Sequence, residues 1–338
     1  MSLHPEFAAA LAELRAQVAA AQANNPAPVG FDLKTQRAQL AGAAQHLQKV
    51  YAGDLPAEST YTFEDKKVLV DDGEFNVRVV VPTSEDKEKT FPVLAWFHGG
   101  GWAAGDPWVD DYQLRILSVE LQVVTVNVDY RLAPEHPFPV PLTDSLAALK
   151  WTVENAASIH VDTSKGFIIG GDSAGGNLTA TLAHIVRDDP FFKDHPLTGQ
   201  VPREPVILHP DAYPEEYKKD LVAIEENAAS ATLAKEQLLL FVSLYNPPRL
   251  DDPRFSPYYF PSHAGVAPAY IQYNQRDPLR DDAVVLEKIL KQAGVKTKST
   301  LYPDLPHAFY YFTPHLAISR QVFRDTIDGV KWLLAGAP

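Results

Sequence analysis

Residues 167–177 read FIIGGDSAGGN, and this stretch decides the fold. It opens with a short apolar run of the kind that forms a buried strand, and a helical pattern begins near Asn177. Between the two lies Gly171-Asp172-Ser173-Ala174-Gly175, whose glycines permit a sharp turn from strand to helix. We therefore expect the hydroxyl of Ser173 to stand exposed, as a nucleophilic serine requires. A purely structural glycine-rich turn is the alternative at this point.

Other short apolar runs recur along the chain with helical patterns between them, as a mostly parallel sheet covered on both faces requires. A half-buried strand is predicted from Phe75 to Val81, followed by strands at residues 92–97, 123–128, 167–169, 206–208, 270–273 and 297–302. Helices are predicted at residues 142–153, 177–186, 281–293 and 316–334. The fold class is therefore α/β, with a mostly parallel central sheet flanked by helices.

Two helical segments fall outside this alternation of strands and helices, and they divide the chain into four predicted parts. Residues 1–55 form a helical arm, residues 56–210 and 251–338 form the two parts of the core, and residues 211–250 form a helical insertion. The arm breaks at residues 24–28, which contain two prolines. We expect arm and insertion to form a cap; an oligomerisation arm is the alternative. The arm's apolar positions are Phe7, Leu11, Leu14, Val18, Leu40, Ala44 and Leu47. The faces that bear Leu11, Leu14, Leu40 and Leu47 are expected to bury against the insertion.

A second glycine-rich motif, residues 98–102, follows the predicted strand at residues 92–97. Its three consecutive glycines allow main-chain N–H groups to approach a substrate oxygen without interference from side chains. We expect Gly100, Gly101 and the N–H of Ala174 to stabilise an oxyanion, with His98 and Gly99 supporting the loop. A flexible loop or a phosphate cradle is the alternative, but no Gly-Lys-Ser/Thr follows.

A nucleophilic serine needs a base, and the base needs an orienting carboxylate. Asp277 follows the predicted strand at residues 270–273, and His307 follows the one at residues 297–302. Both lie at the carboxyl ends of strands, where the functional groups of open α/β sheets collect. The other histidines lack this context. No metal site is predicted, because no His-Glu-x-x-His motif and no cysteine is present.

The composition excludes several classes of partner. The formal net charge is −13, and such a chain would repel nucleic acid, whose binding depends on Lys and Arg. No uncharged apolar run approaches the roughly 18 residues that span a bilayer, and Glu13 and Arg15 interrupt any secretory apolar stretch. We therefore expect a cytoplasmic protein without a membrane span. A homo-oligomer stays possible.

With these motifs in place, the chain resembles the hormone-sensitive-lipase-like esterases, a branch of the α/β-hydrolase superfamily. The resemblance runs from Phe91 to about Phe312. It is carried by residues 98–102, 171–177, 277–281 and the stretch DYRLAPEHPFP at residues 129–139. It implies a helical cap, carboxylester substrates, no cofactor, and a triad of Ser173, Asp277 and His307 with Gly100, Gly101 and Ala174 as oxyanion donors.

The resemblance also implies that Arg131 and Glu135 form buried ion pairs. The chain departs from the family at Ala308, where a glycine usually follows the histidine.

The function thus predicted is a serine carboxylesterase that hydrolyses small to medium acyl esters through an acyl-enzyme intermediate. A non-catalytic small-molecule receptor on the same fold and an amide or lactone hydrolase are the alternatives. Several aromatic residues could line the acyl pocket or simply pack in the core: Trp102, Trp108, Tyr112 and residues 309–312.

Overall fold

The computed structural model describes residues 3–22 and 32–338. Within these residues, eight strands form one sheet in the order β1-β2-β4-β3-β5-β6-β7-β8. The predicted break at residues 24–28 and the side chain of Val18 lie outside the described part. The strands are β1 (Tyr61–Val70), β2 (Gly73–Pro82), β3 (Val93–Phe97), β4 (Val124–Asp129), β5 (Phe167–Asp172), β6 (Gly199–Arg203), β7 (Ala269–Asn274) and β8 (Thr297–Tyr302).

The sheet is antiparallel at one end and parallel elsewhere. Strand β1 pairs with β2, and β2 with β4, in antiparallel register, while β4, β3, β5, β6, β7 and β8 run parallel. Parallel neighbours need crossover connections, and helices supply them. The predicted mostly parallel sheet flanked by helices is confirmed. The carboxyl ends of β3, β5, β6, β7 and β8 consequently open on the same edge.

The helices are α1 (Pro5–Gln22), α2 (Leu33–Val50), α3 (Asp111–Leu121), α4 (Val140–Glu154), α5 (Ala174–Asp188), α6 (Ala223–Glu226), α7 (Lys235–Tyr245), α8 (Arg280–Gln292), α9 (Phe309–Phe312) and α10 (Ala317–Leu334). Helices α3 and α10 cover one face of the sheet, and α4, α5 and α8 cover the other. Each face buries a separate apolar cluster, which explains why the parallel strands are apolar on both sides.

One predicted strand is wrong. Residues 206–208 form no strand, and β6 occupies the position beside β5. The main chain of residues 206–208 pairs with side chains instead: Asp282 accepts two of its N–H groups at 2.6 and 2.9 Å, and Asn177 donates to one of its carbonyls at 2.8 Å. The apolar run reflects burial alone. The sequence hides β6 because Pro202 is unusual inside a strand.

The arm packs on the core and not, as expected, mainly on the insertion. Phe7, Leu11 and Leu47 lie in an apolar cluster built largely from α9, α10 and the segment after β8. Only the edge of this cluster, where Leu40 is partly buried, approaches α7. The physical reason is that α7 buries its own apolar side chains, such as Phe241, in the main core.

We expect Leu47→Ala to destabilise the whole fold, because Leu47 is 0% exposed and its loss leaves a cavity between the arm and the core. Deletions of this kind cost about 2–5 kcal/mol. Leu69→Ala is the matched control, since Leu69 is 76% exposed on β1 and should change the free energy of unfolding by less than about 0.5 kcal/mol. Denaturant unfolding measures both. Equal, small effects would mean that the arm does not pack on the core.

Candidate active site

Ser173 lies at the sharp turn between β5 and α5. Its φ of 55° and ψ of −114° are sparsely populated for an L-residue, so the turn is strained. A Cβ at Gly175 would lie 1.9 Å from the carbonyl oxygen of Phe97, and one at Gly171 would lie 2.4 Å from the same atom. The two glycines are therefore required by close approach to β3. The Ser173 N–H donates to the carbonyl of Arg203 at 2.8 Å, which ties the turn to β6.

The structure brings Ser173, His307 and Asp277 into one line. Nε2 of His307 lies 3.0 Å from Oγ of Ser173, and Nδ1 lies 2.7 Å from Oδ2 of Asp277. The other Asp277 oxygen accepts the N–H of Leu279 at 2.8 Å, so the carboxylate cannot rotate freely. Asp277 and His307 are buried. A histidine held by a carboxylate on one nitrogen and a serine on the other can act as a general base.

The residues after Asp277 fix the surrounding loops. Asp281 accepts the N–H groups of Val222 and Ala223 at 2.7 and 2.6 Å, which anchors the insertion at α6. Asp282 holds residues 206–208, as described above. Thr232 of the insertion donates to the carbonyl of His307 at 2.5 Å. The acidic stretch thus fastens two segments near the histidine, and Thr232 adds a third contact from the insertion.

The glycine loop and the start of α5 supply three main-chain donors. The N–H groups of Gly100, Gly101 and Ala174 have no hydrogen-bond acceptor among the described residues. They line the same cavity as Ser173 and His307. Gly100 and Gly101 have φ of 118° and 62°, and a Cβ at Gly101 would lie 2.3 Å from the ring of Phe241. Only glycine therefore fits at these two positions of the loop. The N–H groups that have no acceptor can bind an oxyanion.

His98 lies beneath the glycine loop and not in the line of the triad. Its Nδ1 contacts the carbonyl of Gly99 at 2.7 Å, and its ring stacks on Tyr130 with a centroid separation of 4.3 Å. The hydroxyl of Tyr130 donates to the carbonyl of His98 at 2.7 Å. These contacts restrain the main chain that leads into the loop.

Sequence reasoning missed a second carboxylate beside His307. Glu204 follows β6, is 2% exposed, and places Oε2 3.3 Å from Nδ1 of His307. Glu204, Asp277 and His307 have potential metal-ligand atoms within 4.8 Å of one another, but the 2.7 Å contact between Asp277 and His307 is a direct hydrogen bond. The signal in the sequence is the charged pair Arg203-Glu204 inside an otherwise apolar stretch.

A buried polar network supports the turn from below. The Tyr311 hydroxyl lies 2.7 Å from Oδ1 of Asp110 and 3.0 Å from Oδ2 of Asp172. A hydroxyl has one proton, so one of these carboxyl groups must supply the second. Burial, together with the charge of Asp110, raises the pKa of Asp172 to about 8, and Asp172 is therefore protonated at neutral pH. Arg203 lies 3.6 Å from both acids and balances the remaining charge.

The cavity in front of Ser173 has a volume of about 180 Å³ and lies between α2 and α7. Trp102, Tyr311 and Phe312 are among its lining residues. Trp108 and Tyr112 are not: Trp108 packs under the guanidinium of Arg78, and Tyr112 stacks on Tyr51. Trp102, Tyr311 and Phe312 thus line the pocket, Tyr112 lies in the core, and Trp108 is exposed.

The two charged residues of the 129–139 motif have different environments. Arg131 pairs with the buried Asp144 at 2.8 Å, as expected. Glu135 is not buried, since its side chain is 56% exposed, and the expectation is wrong for this residue. It instead binds both terminal nitrogens of Arg37 at 2.8 and 2.6 Å. Arg37 belongs to α2, so the pair joins the arm to the core.

Fold and site together have the features of an α/β hydrolase: a mostly parallel sheet, a serine turn after β5, and acid and histidine after later strands. A family model described as alpha/beta hydrolase fold matches residues 94–311. A versiconal hemiacetal acetate esterase from Dothistroma septosporum is 32% identical over 302 residues, covering 88% of this chain and 91% of the relative.

Two solved structures extend the likeness to the whole chain. A vibralactone cyclase superposes with a TM-score of 0.91 at 40% sequence identity, covering 100% of this chain and 96% of that one. An esterase from Pyrobaculum calidifontis superposes with a TM-score of 0.82 at 28% identity, covering 99% of each chain.

The chain belongs to the α/β-hydrolase family, and its resemblance to the hormone-sensitive-lipase-like carboxylesterases is confirmed. Across residues 3–22 and 32–338, none of the helices combines the length and the apolarity needed to cross a bilayer.

We expect ester hydrolysis to fall as the pH drops through the pKa of His307, because only neutral imidazole can accept the serine proton. Burial by itself would lower this pKa, but the carboxylates of Asp277 and Glu204 raise it to about 9. The acid limb of kcat/KM should therefore lie above the ordinary histidine value of about 6.5. Enzyme preincubated at each pH and assayed at one alkaline pH controls for unfolding. A rate of ester hydrolysis that rises towards pH 5 would contradict the role of His307 as general base.

Proposed function

We propose that the protein is a serine carboxylesterase in which Ser173 is the nucleophile, His307 the general base and Asp277 the orienting acid. One observation carries the proposal. His307 bridges Ser173 at 3.0 Å and Asp277 at 2.7 Å, beside three main-chain N–H groups that have no acceptor among the described residues.

The reaction follows from this geometry. Oγ of Ser173 attacks the ester carbonyl carbon while its proton passes to Nε2 of His307, and the negative oxygen of the tetrahedral intermediate accepts hydrogen bonds from Gly100, Gly101 and Ala174. The intermediate collapses when Nε2 returns the proton to the leaving alcohol, which leaves Ser173 acylated. Water then attacks the acyl-enzyme by the same two steps, and the acid is released with Ser173 restored.

The size of the cavity supports small to medium acyl groups. Its volume of about 180 Å³ is below the roughly 300–1,000 Å³ of most ligand pockets. Leu40 of α2 and Leu238 and Phe241 of α7 supply apolar walls suited to an acyl chain.

We assign residues 1–55 and 211–250 to a cap and residues 56–210 and 251–338 to the catalytic core. Support comes from the cavity, because α2 lines one side and α7 the other. The two elements also meet directly: Gln237 donates to Gln36 at 3.4 Å. A cap of this kind excludes water and shapes the acyl site.

A second candidate is intramolecular acyl transfer, in which a hydroxyl of the substrate replaces water and a lactone is released. It is favoured by the 40% identity to a vibralactone cyclase over 100% of the chain. Incubation of hydroxy-acyl esters, with product analysis by mass spectrometry, separates lactone from free acid. A non-catalytic receptor is disfavoured because His307 is present and correctly oriented. Amide hydrolysis uses the same groups and is tested with matched amide substrates.

We expect Ser173→Ala to remain folded and to abolish both ester turnover and covalent labelling by an organophosphonate. Oγ is the only heavy atom lost, and Ser173 is only partly buried, so little packing changes. Intact-protein mass spectrometry measures the labelling. Ser158→Ala, which removes an exposed hydroxyl bonded only to the carbonyl of Asn155 among the described residues, is the control and should label fully. Labelling of the Ser173 variant at wild-type stoichiometry would overturn the nucleophile.

We expect Arg37→Ala to alter acyl selectivity without unfolding the protein. Arg37 donates to the carbonyls of Ala103 and Ala133 at 2.7 and 2.9 Å as well as to Glu135, and so ties α2 to the glycine loop. A half-exposed ion pair contributes only about 0–1 kcal/mol. Misplacement of α2, however, should lower kcat/KM for octanoyl esters about tenfold more than for acetyl esters.

The control for Arg37 is Arg324→Ala, which breaks a surface pair with Glu120 on α3 and should leave the acyl profile unchanged. Circular dichroism and the unfolding midpoint show whether either variant is folded. An unchanged chain-length profile in Arg37→Ala would mean that α2 is not part of a cap.

A further inference from the structure

Glu204 follows β6 directly and is almost fully buried, at 2% exposure, although glutamate seldom occupies such a place unpaired. Its N–H donates to the carbonyl of Gln272 on β7 at 2.8 Å, and its φ of 49° turns the side chain out of the regular strand path. Asp277 lies just beyond β7. Adjacent parallel strands therefore deliver two carboxylates to one sheet edge, on either side of the same histidine.

Every oxygen of the Glu204 carboxylate is used around His307. Oε1 accepts Nδ2 of Asn274 at 2.5 Å, and Oε2 accepts the N–H of Ala308 at 2.8 Å while lying 3.3 Å from Nδ1 of His307. Asn274 also donates to the carbonyl of Pro306 at 2.9 Å. Glu204 thus fixes the main chain on both sides of the histidine.

The contact with Ala308 accounts for the departure from glycine at this position. Ala308 has φ of 50° and ψ of 28°, a left-handed conformation that costs a residue with a Cβ about 1 kcal/mol or more. A charge-assisted hydrogen bond from its N–H to Glu204 stabilises that conformation.

We propose that Glu204 is a second carboxylate partner of His307, a positioning residue that stabilises the imidazolium formed during acyl transfer and accepts the Nδ1–H hydrogen bond when the carboxylate of Asp277 is removed. This inference rests on the proposed function, in which His307 is the base. No bond changes at Glu204 itself: the serine proton passes to Nε2 and leaves from Nε2, while the carboxylate offsets the charge.

The charge balance around Glu204 supports this role. The charged or titratable groups that face it are His307, Asp277, Arg203, Asp172 and Tyr310. Burial raises the pKa of Glu204 to about 7, against the opposing effect of the neighbouring imidazole. Glu204 is therefore ionised in the alkaline range where His307 is neutral, and it is ready to stabilise the proton that arrives.

The first test is the titration of His307 in Glu204→Gln, a change that keeps the shape and one acceptor but removes the charge. Loss of a carboxylate near an imidazolium should lower the pKa of His307 by about one unit. Nitrogen-15 NMR of histidine-labelled protein measures this directly, with the signal identified by its absence in His307→Gln. The acid limb of kcat/KM should move to lower pH by the same amount.

Glu287→Gln is the matched control, because Glu287 is a partly buried glutamate of α8 that is bonded to Ser299 of β8 and to Lys291 of its own helix. It should leave both the histidine titration and the acid limb unchanged. A purely structural Glu204, which only holds Ala308, would lower kcat in Glu204→Gln without moving the pKa of His307, and that result would overturn the proposal. If Glu204→Gln does not fold, Glu204→Asp should lower the pKa by less, and no change would again overturn it.

The second test is a double-mutant cycle with Asp277→Asn. Losing the orienting acid costs about 10⁴ in other triads. Here Asp277→Asn should lower kcat only about a hundredfold. Adding Glu204→Gln to Asp277→Asn should lower kcat about a further hundredfold, whereas Glu204→Gln in the wild-type background should lower it only about threefold. If Glu204→Gln lowers kcat by the same factor in both backgrounds, Glu204 does not replace Asp277 as the partner of His307, and the proposal is refuted. If the wild type shows neither ester turnover nor phosphonate labelling, the proposed esterase function is wrong. The NMR titration would still show whether Glu204 stabilises the imidazolium of His307.

Discussion

The whole site depends on the close approach of the turn at Ser173 to the end of β3. Phe97 is paired with Gly171 in the sheet, and its carbonyl oxygen leaves no room for a side chain at either glycine of the turn. The residue directly after β3 is His98, which begins the glycine loop. Strand pairing therefore fixes the separation between Ser173 and the glycine loop. The strained φ of Ser173, worth roughly 1–3 kcal/mol, is held by the hydrogen bond to Arg203 and the first bond of α5.

Buried carboxylates connect this edge of the sheet to the rest of the chain. A buried acid is costly unless its oxygens are hydrogen-bonded. Asp281 and Asp282 each accept two main-chain N–H groups, and Glu204 accepts one together with a side-chain amide. Asp282 thereby stabilises the irregular segment 206–208, Asp281 the start of α6, and Glu204 the residue before α9. These side chains fix the segments around the histidine to one another.

The acyl cavity is formed by segments from opposite halves of the chain. Helix α2 reaches it from the arm and α7 from the insertion, and Arg37 joins α2 to the glycine loop through Ala103. The apolar wall of the cavity and the glycine loop are consequently joined by the Arg37 side chain. Buried Phe7 and Leu47 attach the arm to the core in a cluster that shares Val109 and Tyr311 with the lining of the cavity. The shape of the pocket and the stability of the arm thus depend in part on the same residues.

The sequence by itself determined the sheet class, the turn at Ser173, the glycine loop and the two strand ends where Asp277 and His307 lie. These features follow from local geometry: apolar period, glycine where a Cβ cannot fit, and polar residues directly after a strand. Tertiary structure alone decided that β6 replaces the strand expected at residues 206–208, that Glu135 binds Arg37, that the arm packs on α10, and that Glu204 meets His307. Each of these is a contact between residues far apart in the chain. Such contacts depend on which strands become neighbours and which surfaces are left to cover, and no local pattern encodes either.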